Sequence, residues 1–302
     1  MYTTNKEKLI FQQIVGRIAP PTLRSGGPSA TIYVTTWNGK PSLGIGTGGI
    51  KYNVKMGDSC FGWPEAEYLT PGVSIEGIEE RDSRGIEQSG AAAGLEGLSC
   101  IGNEVTMQDG EGKSAKGIVI GKGGSRSNII AHFSDEDLEK LTIGDRIRVR
   151  AIGTGLKIKG FDGNLYSMSP TFLESLNIEL KDDKLVIPVT REVPAYAMCM
   201  GVGGSAAMSG HWCIQSNPPE LVEQLNIQNL RIGDLVACRD VLMAYGKGYY
   251  RGAVTVGVVA FGASEQAGHG PGVFAIASSK KGKILPHIDP EANLTKYLSL
   301  RR

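Results

Sequence analysis

The sequence predicts a β-rich α+β protein of two related lobes, β-barrel-like or β-sandwich-like, with short helices. Three observations predict it. Glycine supplies 42 of 302 residues, about twice its usual share; the glycines are aperiodic and fall between short apolar runs, as when tight turns join short strands. A segment recurs: Leu141-Thr142-Ile143-Gly144-Asp145-Arg146-Ile147 matches Leu230-Arg231-Ile232-Gly233-Asp234-Leu235-Val236, and the likeness continues to Arg150 and Arg239. Hydrophobic residues make up 41% and charged residues 21%, enough for one large core or two ordinary ones.

Along the chain, Leu9, Ile10, Ile14, Val15 and Ile18 have helical spacing, so a helix is expected over Asn5 to Ile18, ended by Pro20-Pro21. Ala30 to Met56 reads as strand, with Ile50, Tyr52, Val54 and Met56 alternating. Gly57 to Gly97, rich in Gly, Glu and Ser, is expected to be long loops. Each repeat copy follows a short helix. The first is capped by Ser134 with Asp137 three residues on. The second opens at Asn217 with Pro218 in the first helical position. Each Gly-Asp pair reads as a turn into a strand. Gly252 to Gly262 reads as a buried strand, followed by the loop Ala267-Gly268-His269-Gly270-Pro271-Gly272 and a further strand from Val273 to Ala277. Asp289 and Pro290 open a last helix through Leu300. The expected division is residues 1–185, a lobe with long loops, and 186–302, a lobe carrying the Gly-rich loop.

The charge balance narrows the function. Lys plus Arg is 32, Asp plus Glu 31, and the net charge +1; a nucleic-acid binder is expected to carry a basic excess. No apolar run approaches a membrane span, and the N-terminus does not read as a signal peptide. Five cysteines without a CxxC pair read as reduced thiols of a cytoplasmic protein. The expected partners are a small-molecule ligand and further copies of the chain, with no nucleic acid and no membrane.

Gly44-Ile45-Gly46-Thr47-Gly48-Gly49 matches GxGxxG. A dinucleotide fold needs a helix next, whereas Ile50 onward alternates like a strand. Ser278-Ser279-Lys280-Lys281 matches SxxK in an expected exposed turn. His132 and His287 read as loop residues. His269 stands out because glycines flank it on both sides. Gly268, Gly270 and Gly272 can offer N–H groups to an anion, with the imidazole as acid, base or ligand; the competing reading is a histidine that tethers a tight turn. His211 and Cys213, two apart on one strand face, are a candidate site for a soft divalent metal, the one cofactor for which the sequence offers ligands; the competing reading buries Cys213 in the core. Asp58 and Cys60, with Glu65 and Glu67, form a third cluster, whose carboxylates either share acid–base work or solvate a loop.

Pro71-Gly72-Val73-Ser74-Ile75, Cys100-Ile101-Gly102-Asn103-Glu104, Ala115 to Val119 with Gly121-Lys122, Gly252 to Val259, and Ala267 to Val273 together resemble the bacterial and archaeal family of domain-of-unknown-function number 4438. The resemblance implies a β-rich fold and an intracellular, often oligomeric protein, and supplies no reaction. It also implies acidic or histidine residues at the positions of Tyr68, His211, Cys213, Phe261 and Ala263, while His269 and Glu104 are retained. Two functions are expected on this basis. One is a hydrolase- or lyase-type enzyme with a pocket around the His269 loop, using His269, Glu104 and Asp58 catalytically and Gly268, Gly270, Gly272 and Asn103 for the ligand. The other is a non-catalytic oligomeric binding or assembly protein.

Overall fold

The computed structural model describes residues 2–21, 33–43, 48–63, 69–78, 90–123, 128–199, 211–244 and 247–300. Strands make up 44% and helices 14%, so sheets form the frame and helices fill gaps. The first lobe contains β1 (Gln12–Ile18), the hairpin β2 (Tyr33–Thr35) and β3 (Pro41–Leu43), β4 (Ile50–Lys51), β5 (Gly72–Gly77), β6 (Glu104–Met107), β7 (Lys116–Gly123), β8 (Asn128–His132) and β9 (Arg146–Ala151). Six of them follow the order β1-β9-β6-β7-β8-β5, all antiparallel, and β5 returns to pair with β1, which closes a barrel. Closure removes the exposed edges an open sheet would present.

The expected N-terminal helix is instead a single turn of 3-10 helix at Lys6–Lys8 followed by β1. The β-branched pair Ile14-Val15 favours the pleat over the helix. A Cβ at Gly16 would lie 2.7 Å from the Glu76 carbonyl oxygen, so glycine admits close pairing with β5. The 57–97 region also differs from the expected loops: it carries β5, central to the barrel, and α1 (Ala91–Leu98), whose Leu95 is fully buried in the barrel interior. His132 ends β8 and is no loop residue.

The second lobe contains β10 (Asn164–Leu165), β11 (Glu179–Lys181), β12 (Lys184–Val189), β13 (Arg191–Pro194), β14 (Met198–Cys199), β15 (Trp212–Ile214), β16 (Leu235–Met243), β17 (Lys247–Phe261), β18 (Gly272–Ser279) and β19 (Ile284–Ile288). Its main sheet runs β13-β16-β17-β18-β15-β14, with β10 also on β18, and curls into a nearly closed barrel. A small sheet, β11-β12-β19, places His287 in a strand. Ser278 and Ser279 lie buried in β18, so only the end of SxxK is exposed.

The strand period explains how the lobes join. In β8, Ile129 and Ala131 face the barrel interior, while Ile130 between them faces the other lobe and shares its core with Val258 and Val259. A bulge between Val119 and Gly121 turns β7 onto β17. A Cβ at Gly121 would sit 3.3 Å from that of Ala260, so the glycine allows close approach of the two lobes.

The repeat is visible as geometry. Asp145 Oδ2 accepts from the Thr142 N–H and Asp234 Oδ2 from the Arg231 N–H, both at 2.9 Å, and Gly144 and Gly233 have φ of 94° and 93°. Each turn opens directly into its strand, β9 or β16. The preceding helices are α2 (Asp135–Leu138), where Ser134 caps the Asp137 N–H as expected, α3 (Pro170–Ser175) and α4 (Pro219–Gln224). Helix α4 starts one residue later than expected, after Pro218, because the Asn217 side chain reaches away to another loop. The last helix is only α5 (Leu294–Tyr297), capped by Asn293; Asp289 accepts from the Glu291 N–H in a turn before it.

Candidate functional site

The Gly-rich loop leaves β17 and returns in β18. Of its glycines, Gly268 has φ of 74° with open space around it. The other two serve packing: a Cβ at Gly270 would fall 1.9 Å from the Ile214 carbonyl oxygen, and one at Gly272 1.8 Å from the Phe261 ring. His269, half-buried, uses its backbone as a tether. Its N–H donates to Gln266 O at 3.1 Å, and its carbonyl accepts from the Ser216 N–H at 3.3 Å.

Three more segments are tied to this loop. Asn217 Nδ2 donates to the carbonyls of Ser264 and Gln266, each at 3.0 Å. Ser216 Oγ donates to Ser264 O at 3.1 Å. The Trp37 N–H donates to Glu265 O, and the Ala263 N–H to Cys60 O, both at 2.8 Å. The four segments enclose a cleft of about 480 Å³ whose walls include Trp37, Phe61, Trp63, Asn217 and Glu265. The Trp63 indole N–H donates to Ser59 O at 2.8 Å, which fixes its ring. Asn217 Nδ2 and the hydroxyl of Ser216 are engaged in holding the loop. What the described walls offer a ligand is aromatic surface, the Glu265 carboxylate and the Asn217 side-chain oxygen. Burial pushes the Cys60 thiol well up, so it stays protonated at neutral pH.

The sequence-predicted residues are dispersed. His269 belongs to the loop beside the cleft, yet neither it nor Glu104 nor Asp58 is among the described lining residues. Glu104 lies on β6, 3.9 Å from Arg150. Asp58 closes a third Gly-Asp turn, accepting from the Lys55 N–H at 2.7 Å with Gly57 at φ of 92°. Asn103 is engaged with backbone: Oδ1 accepts from the Cys100 N–H at 2.8 Å and Nδ2 donates to Ile152 O at 2.9 Å. His211 is buried edge-on to Phe261, ring centroids 4.6 Å apart, and Cys213 is fully buried. Among the described residues no group of three or more His, Cys, Asp and Glu side chains is placed to hold a metal, so the divalent-metal expectation lacks a third ligand there. Glu65, Glu67 and Tyr68, and residues 44–47 of the GxGxxG match, lie outside the described residues; Ile50–Lys51 after them is strand. Of the other positions where the resemblance implies acidic or histidine residues, His211 touches Phe261 and Ala263 lines the cleft.

Sequence reasoning missed two features. One is the aromatic wall itself, drawn from residues 37, 61 and 63. The other is Lys122, fully buried in β7, where burial lowers its ammonium pKa to about 8 against the opposing pull of Cys100 and Glu96.

Two family models match the chain: domain of unknown function (DUF4438), N-terminal, over residues 33–174, and domain of unknown function (DUF4438), C-terminal, over residues 175–298. No curated protein matches it. A solved structure described as the crystal structure of TM1086 is similar at 37% identity, with 98% of each chain covered and a TM-score of 0.86. No helix among the described residues is long and apolar enough to cross a membrane.

Proposed function

The chain belongs to the DUF4438 family, and from that premise and the cleft we propose that it binds a small organic cation between Trp37, Phe61, Trp63 and Glu265. One observation carries this reading. Ser216 Oγ and Asn217 Nδ2 hold the loop together, and the wall around them is made of three aromatic side chains and a carboxylate. Aromatic faces attract cations electrostatically, by about 0.5–2 kcal/mol each as solvent is excluded, and a carboxylate adds a charge-assisted contact. Binding is favoured over hydrolysis or elimination because His269, Glu104 and Asp58 do not line the cleft and Cys60 is held as a thiol. Catalysis there would run through Glu265.

Intrinsic tryptophan fluorescence tests the reading, with choline as probe and 3,3-dimethyl-1-butanol as its neutral isostere. Choline is expected to produce a saturable change and the isostere none. Glu265→Gln weakens choline about tenfold, equivalent to about 1.4 kcal/mol. Equal response to both compounds would overturn the cation reading, and no saturable response to either would overturn the cleft as a binding site.

A further inference from the structure

The sheet of the second lobe brings two cysteines face to face. Strands β14 and β15 are antiparallel, and their register sets Cys199 directly opposite Cys213, with Met198 opposite Ile214. Opposed residues in an antiparallel pair have Cα atoms about 4.5 or 5.5 Å apart, inside the range of about 4.4–6.8 Å that a disulfide spans. They share one face of the pleat, so both Cβ atoms point the same way. Cys199 Sγ already lies 3.3 Å from the Cys213 carbonyl oxygen. Both residues are thiols in this structure.

The two thiols differ in access. Cys199 is half-buried and lines a depression of about 170 Å³ with Trp212 and Tyr249, the latter 71% exposed. A small reagent can reach it from solvent. Cys213 is fully buried, opposite Cys199. That is the arrangement of an attacking thiol and a resolving thiol. The remaining cysteines, Cys60, Cys100 and Cys238, are buried and none is paired across strands with Cys199, so neither the external reagent nor a mixed disulfide on Cys199 meets them as it meets Cys213.

We propose that Cys199 and Cys213 are a modification site, a cross-strand dithiol oxidised reversibly to a disulfide by low-molecular-weight disulfides. The Cys199 thiolate attacks one sulfur of the small disulfide; its S–S bond breaks, a mixed disulfide forms on Cys199, and one small thiolate leaves. Cys213, deprotonated, then attacks the Cys199 sulfur, breaks the mixed S–S bond and releases the second small thiolate. The protein loses two electrons and two protons, and the small disulfide gains both to become two thiols. The resulting staple joins the strands immediately before Ser216 and Asn217. It stands on the register of β14 and β15 and is independent of what the cleft binds.

The test is non-reducing peptide mapping by mass spectrometry of the intact chain after exposure to oxidised glutathione. The expected result is loss of two thiols per chain, a single linked peptide pair joining Cys199 to Cys213, and full reversal by dithiothreitol. Cys213→Ser is expected to stop at a glutathione adduct on Cys199, and Cys199→Ser to lose both products. The wild-type map stands by itself should the buried Cys213 variant misfold. A link through Cys60, Cys100 or Cys238, an adduct on wild-type Cys199 that never resolves, or no loss of thiols would overturn the proposal.

Discussion

Lys122 places an amine inside a barrel lined by Val119, Ile129 and Val149. Its ammonium pKa falls from 10.5 to about 8, chiefly by desolvation. A base with a lowered folded-state pKa binds fewer protons when folded, so stability rises with pH between those two values and the cost is fully present below pH 8. The 10.5-to-8 span corresponds to about 3 kcal/mol. Lys51, lowered to about 8 in the same way, contributes in the same window. The expected outcome in urea unfolding is therefore a difference: wild type gains stability from pH 8 to 10, and Lys122→Met gains about 2 kcal/mol less over that interval. Identical pH profiles would place the Lys122 charge in solvent. Nothing in Gly121-Lys122-Gly123 announces this burial, because a lysine between glycines reads as an exposed turn. Only closure of the barrel buries it.

At the scale of elements, the Gly-Asp turns are the most legible feature of the sequence. Gly supplies the positive φ, and the Asp carboxylate accepts from the N–H three residues back, so one local rule starts both β9 and β16. The copies differ in what surrounds them. Asp234 is 1% exposed, takes a further bond from Asn293 Nδ2 at 2.9 Å and pairs with Arg231, while Asp145 is half-buried. Asp234→Ala is expected to cost about 3 kcal/mol, since it leaves buried donors without an acceptor, and Asp145→Ala about 1 kcal/mol. Thermal unfolding of the two variants checks the order, and equal losses would contradict it. The third turn, at Asp58, escaped the sequence reading because Lys55-Met56-Gly57-Asp58 shares only Gly-Asp with the others. Strand β1 was illegible for a different reason. Leu9 and Ile10 precede it and, with Ile14, Val15 and Ile18, complete a helical period by coincidence, whereas the deciding partners, β5 and β9, lie some 60 and 130 residues further on.

At the scale of the molecule, the two-lobe β architecture was readable from glycine content and the repeat, because both report turns, and turns are local. The cleft was not. Its walls come from residues 37, 61–63, 216–217 and 263–265, four segments brought together only by long-range pairing. The Gly-rich loop borders the cleft, but its glycines mark close packing on Ile214 and Phe261 more than a cradle for an anion. Cation binding in the cleft is tested by a crystal structure of the protein grown with saturating choline. The trimethylammonium group is expected in the cleft, within about 6 Å of the Trp37 or Trp63 ring centroid and beside Glu265. Choline bound elsewhere, or a cleft containing only ordered water at saturation, would contradict it.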